Sequence, residues 1–529
     1  MSTPRATAPA PTPQRTRRRA VLAPVLVAAI TAVAAGLRLH ALGAKSFWMD
    51  EGVTAACLRL DWYNFLRLLW RREANMALYY VLLRGWARFG HSEAWLRGFS
   101  VLAAAATVPV LYGLGKRLFG AAAAVMGALL LAVNAYHVRY AQEARSYSLA
   151  VFLVTLAAFF LAGAVERGRR GCWKGYAAAV ILAIYTHFFS ALVVIAHWIA
   201  LRALPERPVS AENPALLDGP PELAAARSGF TKAVKHIALW TLPVWVFIAA
   251  TGAGPLRWLR RPGLGELHGF LEQFAGNGGT PLLGLYLAGG VLAAMAGVQT
   301  WRRYGRSFQL WGYALALSWA VAPVLIVLAV TPIRPLFLPR YLQVCLPAFV
   351  LCVAAGLAPP AALPYPRLAA RLWRWAAWPV MGLIVWFALG GVRAYYARDF
   401  DIGRQDYRHA SEHVLEAAEA GDAIIFYPSY GRCAYQYYAD HSTGSGFQPM
   451  IIAPGYGDRM SWRDFTAKVS PPALNREMLD YRRVWVVLAN DGPQAGDPLS
   501  RQVQAVLAGR YRLAETRTFP GIKVELYAP

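Results

Sequence analysis

Ser46-Phe47-Trp48-Met49-Asp50-Glu51 sets two carboxylates side by side just beyond the first long apolar run of the chain. An ionised carboxylate near hydrocarbon is costly, so the pair calls for a partner cation, water or a reaction to account for it. Two adjacent acids at a membrane surface point to chemistry on something lipid-borne. Other groups of suitable type stand near apolar segment ends: Glu143 and Arg145 within Tyr136-His137-Val138-Arg139-Tyr140-Ala141-Gln142-Glu143-Ala144-Arg145-Ser146-Tyr147, Arg340-Tyr341 after Leu338-Pro339, Tyr80 and His187. Each has a plainer alternative. Asp50 and Glu51 suit the first turn of a helix, Glu143 and Arg145 suit a structural ion pair, Arg340 suits snorkelling to headgroups, Trp48 and Tyr80 suit interfacial anchors, and His187 suits a packed, hydrogen-bonded position.

The rest of the chain sets the environment. Of 529 residues, 57% are hydrophobic and 16% charged, which belongs to the membrane class. The net charge of +25 comes from Lys and Arg in short clusters between apolar segments. That pattern orients a membrane protein and does not form the basic face that nucleic acid needs. Cys57, Cys172, Cys345, Cys352 and Cys433 are dispersed, without CxxC or metal-ligand spacing; only Cys57 and Cys433 fall on one oxidising side.

Segments near the length of a bilayer span lie at 20–38, 94–113, 121–136, 147–165, 175–186, 188–204, 234–251, 280–298, 309–329, 341–358 and 376–393. The fifth is short, and merging it with the sixth around Tyr185-Thr186-His187-Phe188-Phe189 reverses everything downstream. With about eleven spans, Lys116-Arg117, the cluster from Arg167 to Lys174, Lys232 with Lys235, Arg302-Arg303-Arg306 and Arg367-Arg371-Arg374 share the side of the N-terminal arginines. The positive-inside rule makes that side cytoplasmic. Asp50-Glu51, the loop around Glu143, the segment 252–279 and everything after about residue 394 then face outward.

Three regions follow. Residues 1–19, rich in Pro, Thr and Arg, read as a disordered cytoplasmic tail, with the run after Arg17-Arg18-Arg19 retained as an anchor. Residues 20–393 form the polytopic helical domain; its outer loop, 39–93, carries apolar residues at helical spacing with interleaved arginines, as in helices lying in the membrane interface. Residues 394–529 turn soluble and read as a small α/β or α+β extracytoplasmic domain. Its expected helices are Asp406 to Ala420 and Arg501 to Leu507, and its expected strands are at 423–427, 484–488, 512–518 and 523–527.

The words Ser46-Phe47-Trp48-Met49-Asp50-Glu51, Leu78-Tyr79-Tyr80-Val81-Leu82-Leu83, Tyr136 to Tyr147, Tyr185-Thr186-His187-Phe188-Phe189 and Leu338-Pro339-Arg340-Tyr341 together resemble the bacterial GT-C-type membrane glycosyltransferases of family 39. That family includes protein O-mannosyltransferases and lipid A aminoarabinose transferases. Asn75-Met76-Ala77 departs from the His or Asn followed by Pro-Pro of many members, which bears on the acceptor more than on the chemistry. The resemblance implies a GT-C fold and transfer of a sugar, with inversion, from a polyprenyl-phosphate donor to an acceptor on the outer face of the bacterial cytoplasmic membrane. Displacement at the anomeric carbon needs a carboxylate to accept the acceptor proton and cations or donors to hold the leaving phosphate. Asp50 is the candidate base and Glu51 its reserve. Glu143, Arg145, Arg340, Tyr341, Tyr80 and His187 are candidates for holding donor phosphate or substrate, with Arg257, Arg260 and Arg261 as further charge.

No cofactor is fixed by the sequence, and a divalent cation at Asp50 and Glu51 stays open. Asp406, His409 and His413 share helical spacing but lack a third fixed ligand beyond an ordinary solvated face. Partners implied are the lipid-linked donor, membrane lipids and an acceptor that is protein, lipid or glycan. Two other classes compete: a transporter or flippase of lipid-linked glycans, which predicts charges spread through the spans, and a membrane-anchored binding module whose C-terminal region does the work.

Overall fold

The protein is described by a computed structural model covering residues 13–206, 223–252, 259–358, 367–401, 403–442, 447–453, 460–466, 481–489 and 498–529. Its helices run in the order α1 Pro13–Leu39, α2 Met49–Arg59, α3 Trp62–Leu68, α4 Ala77–Trp86, α5 Glu93–Phe119, α6 Ala121–Val133, α7 Ala135–Ala141 and α8 Tyr147–Arg167. There follow α9 Arg170–Thr186, α10 Ala191–Ala200, α11 Leu223–Thr251, α12 Leu264–Ala275, α13 Gly279–Tyr304, α14 Phe308–Val330, α15 Leu346–Leu357 and α16 Arg367–Tyr396. The eleven expected apolar segments are helical, with 121–136 crossing the break at Asn134 and 188–204 and 341–358 including 3-10 turns. Among the described residues, however, seven helices are long and apolar enough to cross a membrane, or eight if the bent pair α6–α7 is one span, so the count of eleven is not established. Residues 1–12 of the expected tail lie outside the described residues, and α1 begins within that tail at Pro13.

Sequence explains where several helices stop. On α5, Ser92 accepts from the amide of Trp95 at 3.2 Å, Glu93 lies in the first turn and Lys116 and Arg117 in the last, each matching the helix dipole. Between α6 and α7 the chain bends by 57° at Asn134, whose side chain caps α7 by accepting from the His137 amide at 2.9 Å. The bend frees carbonyls that hydrocarbon cannot satisfy. Arg38, fully buried on α1, supplies the protons: it donates to the carbonyls of Leu131 at 3.0 Å and Ala132 at 2.9 Å. The suspected merger around His187 does not occur, because α9 ends at Thr186 and a 3-10 turn, Phe188–Ser190, precedes α10.

The segments expected on opposite sides separate to opposite ends of the bundle. At one end Arg117 lies near Glu166, and the Ser307 amide donates to the Ala203 carbonyl at 3.1 Å. At the other, the Asn134 side chain donates to the Phe274 carbonyl of α12 at 2.9 Å, and the loops carrying Asp50, Glu143 and Arg340 meet. The loop 39–93 is largely helical as expected, with Trp62, Tyr63, Leu66 and Trp70 exposed.

Beyond α16 lie α17 Tyr407–Ala417, β1 Ala423–Tyr427, α18 Gly431–His441, β2 Met450–Ala453, β3 Val484–Ala489, α19 Pro498–Ala508, β4 Arg512–Phe519 and β5 Ile522–Ala528. The strands form one sheet in the order β2-β1-β3-β5-β4, parallel on the β2-β1-β3 side and antiparallel on the β3-β5-β4 side. Alternation with period two serves both faces: Ile424, Phe426, Trp485 and Val487 pack with α17 and α18, while Ala423, Ile425, Val484 and Val486 pack with α19. Neither β2, four residues long, nor α18, rich in Tyr and polar residues, showed in the sequence.

Two close contacts fix the loop 39–93. Arg97, on α5, donates to Glu51 through Nε and Nη2, both at 2.8 Å, and to the carbonyls of Leu42, Lys45 and Ser46 at 2.8–3.2 Å. Glu51 and Arg97 are both buried. Gly52 touches α18 so closely that a Cβ there would fall 2.5 Å from the Cβ of Ala434. Arg97→Met, which strands a buried carboxylate, is expected to cost about 3–5 kcal/mol, whereas Arg97→Met with Glu51→Met together should cost less than the single change. Thermal unfolding in detergent checks this, and an unchanged midpoint for the single variant contradicts it. Gly52→Val is expected to loosen residues 407–529 against the bundle, read as faster limited proteolysis there, with Ala434→Gly restoring part of the protection.

Candidate active site

Asp50 and Glu51 occupy the first turn of α2, where consecutive side chains point about 100° apart. The two acids therefore face different surroundings. Glu51 turns inward, where its Oε1 also accepts from the Ala144 amide at 2.8 Å, so it ties α2 to the turn before α8. Asp50 turns to the partly open side, with its side chain 19% exposed.

Two guanidinium groups approach the Asp50 carboxylate from separate segments. Arg145 Nη2 and Arg340 Nη2 each stand 3.8 Å from its Oδ2. Arg145 is held from behind, donating to the Tyr80 hydroxyl at 3.0 Å, Thr54 Oγ1 at 3.2 Å and the Asp50 carbonyl at 3.3 Å. The Tyr80 hydroxyl in turn donates to Glu73 at 3.3 Å. Burial pushes the Glu73 carboxyl above its usual range, opposed by the charge of Arg145. Arg340 faces the ring of Trp48 at 5.5 Å, and the Tyr341 ring packs against His187 at 5.1 Å and Phe189 at 5.2 Å.

Asp50, Arg145, Arg340, Tyr80 and Tyr341 are thus brought together, with His187 behind Tyr341. Glu143 is not part of that cluster and does not pair with Arg145. Its Oε1 pairs with Arg404, and burial raises its carboxyl while Arg404 and Arg139 hold it down. The plainer alternatives fare unequally. Both acids do lie in a helix N-terminal turn, but Tyr80 and Trp48 are buried within the protein, and Arg340 points at Asp50. A cation shared by Asp50 and Glu51 does not fit, because both oxygens of Glu51 are taken by Arg97 and Ala144; among the described residues no group of three or more His, Cys, Asp or Glu could hold a metal ion. The Asp406 carboxylate caps α17 and binds His409 at 2.6 Å, while His413 faces Glu515 and Arg517. Arg257 lies outside the described residues, Arg260 is exposed, and Arg261 donates to the Pro332 carbonyl at 2.7 Å. Cys57 and Cys433 are free and buried.

Sequence reading missed Glu73, Arg97 and Arg404. Arg97 carried a usable signal, since it is the one charged residue in the long apolar stretch between Glu93 and Lys116 and so calls for a buried partner. Glu73 and Arg404 stand among other charged residues and carried none.

Comparison with known proteins bears on this arrangement. Residues 76–219 match the family model described as dolichyl-phosphate-mannose-protein mannosyltransferase. No curated protein is significantly similar to the chain in sequence. Among solved structures, ArnT from Cupriavidus metallidurans superposes with a TM-score of 0.60 in its apo state and 0.58 when bound to undecaprenyl phosphate. Both matches are at 13% identity and cover 94% of this chain and 97% of that one. The Archaeoglobus fulgidus oligosaccharyltransferase, in complex with zinc and sulfate, gives a TM-score of 0.50 at 12% identity over 86% of this chain and 67% of its own. The chain is a membrane-embedded, multi-pass protein with the GT-C-type fold of ArnT, closed by a small C-terminal sheet domain.

Proposed function

We propose that the protein transfers a sugar from a polyprenyl-phosphate donor to an acceptor on the outer face of the bacterial cytoplasmic membrane, with inversion at the anomeric carbon. The observation that carries this reading is the convergence of Arg145 and Arg340 on Asp50 from two distant parts of the chain. A carboxylate flanked by two planar cations offers a proton acceptor beside a phosphate-binding pair. The family-model match and the likeness to ArnT bound to undecaprenyl phosphate agree with a lipid-linked donor. The clustering of arginine-rich loops at the opposite end of the bundle agrees with an outward-facing site and a cytoplasmic N-terminus.

The step is a single displacement. The acceptor oxygen or nitrogen attacks C1 of the sugar while Asp50 takes its proton, and the bond from C1 to the phosphate oxygen breaks. Polyprenyl phosphate leaves with the electron pair. Arg145 and Arg340 stabilise the growing phosphate charge, and Tyr80 and Thr54 hold the Arg145 fork in place. One attack from the face opposite the leaving group gives inversion. Glu51, closed off by Arg97, orients α2 and takes no proton. Asp50 is the base, Arg145 and Arg340 the phosphate ligands, and Tyr341 and His187 shape the wall beside them.

Transfer from undecaprenyl-phosphate mannose, glucose and aminoarabinose to extracted envelope acceptors tests the reading with purified protein. Asp50→Asn is expected to slow transfer by about 10²- to 10⁴-fold while folding and undecaprenyl phosphate affinity stay parental. Near-parental turnover in that variant rejects Asp50 as base. Arg340→Ala is expected to weaken undecaprenyl phosphate binding, measured by native mass spectrometry, by about tenfold or more, the loss of one charge-assisted hydrogen-bonding partner. Unchanged binding removes Arg340 from the phosphate site.

A further inference from the structure

We infer that Arg404, in the segment joining α16 to the C-terminal domain, is a positioning residue for the reaction: one guanidinium holds both the residues leading into Asp50 and the turn that carries Arg145. This rests on the reading of Asp50, Arg145 and Arg340 as the transfer site.

Arg404 is nearly buried, its side chain 10% exposed. It makes two contacts, the closer of the two guanidinium approaches to Trp48 and a pairing with Glu143. Its guanidinium lies 3.2 Å from the centroid of the Trp48 ring, and its Nη2 pairs with Glu143 Oε1. Trp48 is the residue from which α2 starts, two positions before Asp50, and its buried indole N–H has no hydrogen-bond partner among the described residues. The ring is therefore fixed by stacking and packing. Glu143 passes the constraint onward, because its carbonyl accepts from the Arg145 amide at 2.8 Å, and the Arg145 guanidinium stands beside Asp50. The separation of Asp50 from Arg145 is thus set from both sides by the same planar group.

The neighbouring contacts make Arg404 the centre of a continuous grip. Asp401 binds Lys45 at 3.3 Å on one side and Arg139 at 3.0 Å on the other. The Gln405 side chain accepts from the Met49 amide at 3.3 Å. Arg408 donates to the carbonyls of Gly43 and Ala44 and pairs with Glu93, while the Tyr438 hydroxyl accepts from the Phe47 amide at 2.7 Å. Residues leading up to Asp50 are held one after another by the chain that follows α16. A lysine in place of Arg404 keeps the charge but lacks the plane and the fork, so it can face Trp48 or Glu143 but not both. Misplacement by about 1 Å at a reacting group costs on the order of 10²-fold in rate. The grip therefore acts on turnover more than on donor binding, because Arg340 lies outside it and the Arg145 fork keeps its bonds to Tyr80 and Thr54.

The test uses the full-length protein in nanodiscs as wild type, Arg404→Ala, Arg404→Lys and Glu143→Gln. Hydrogen exchange is followed in peptides spanning 44–52 and 140–146, with α13 and α14 as internal controls. Arg404→Ala is expected to speed exchange in both segments at once and leave the controls unchanged. Its turnover of an undecaprenyl-phosphate sugar should fall by about 10²-fold with undecaprenyl phosphate affinity within about threefold. Arg404→Lys should fall between, and Glu143→Gln should loosen 140–146 alone. Should Arg404→Ala fail to fold, Arg404→Lys and Glu143→Gln carry the same comparison. Unchanged exchange in either segment, or a loss of affinity equal to the loss of turnover, overturns the inference. If the wild type transfers no sugar from any donor, the transfer reading fails while the exchange data still decide whether Arg404 joins the two segments.

Discussion

Glu51 and Arg97 lie where the bundle meets the outer loop, and the burial of this one ion pair decides how the neighbouring acid can be used. Removing two charges from water costs several kcal/mol each unless their geometry is close to ideal and their remaining donors are satisfied. Arg97 meets that condition with two bonds to Glu51 and three to backbone carbonyls. With Glu51 committed to the interior, the helical turn forces Asp50 the other way, toward Arg145 and Arg340. Adjacent carboxylates that look equivalent in the sequence are thereby divided into one locked in a buried ion pair and one that faces Arg145 and Arg340.

The same economy of charge runs through the neighbourhood. Arg38 satisfies carbonyls freed at the α6–α7 bend, and that bend places the turn bearing Glu143 and Arg145. The C-terminal domain is fastened to the outer loop by Arg404, Arg408, Asp401 and Tyr438, and by the near-contact of Gly52 with Ala434. Parts distant in the chain therefore act as one wall of the site. Among the described residues the acids around Asp50 lie at one end of the bundle and the arginine-rich loops at the other, whereas a transporter of lipid-linked glycans predicts charges spread through the spans.

Much of this was legible from sequence because the signals were periodic or locally concentrated. Long apolar runs marked the helices, short apolar runs in a soluble region marked β1 and β3, and the words around Asp50, Arg145 and Arg340 marked residues that meet in space. Other features were hidden for physical reasons. The partner of Glu51 is 46 residues away on another helix. The number of spans is obscured because α9 and α10 are short and α6–α7 is bent. Tyr80 reads as an interface aromatic until its hydroxyl is seen between Glu73 and Arg145. Pairing between Glu143 and Arg145 was suggested by proximity in sequence, yet the better partner for Glu143, Arg404, lies 261 residues on.

A structure of the full-length protein with undecaprenyl phosphate bound, determined by electron cryomicroscopy in nanodiscs, tests the central claim most directly. The account places the phosphate within hydrogen-bonding distance of both Arg145 and Arg340, with the Asp50 carboxylate facing the position the sugar C1 must occupy. Density for the headgroup at the opposite end of the bundle, or out of reach of both arginines, contradicts it.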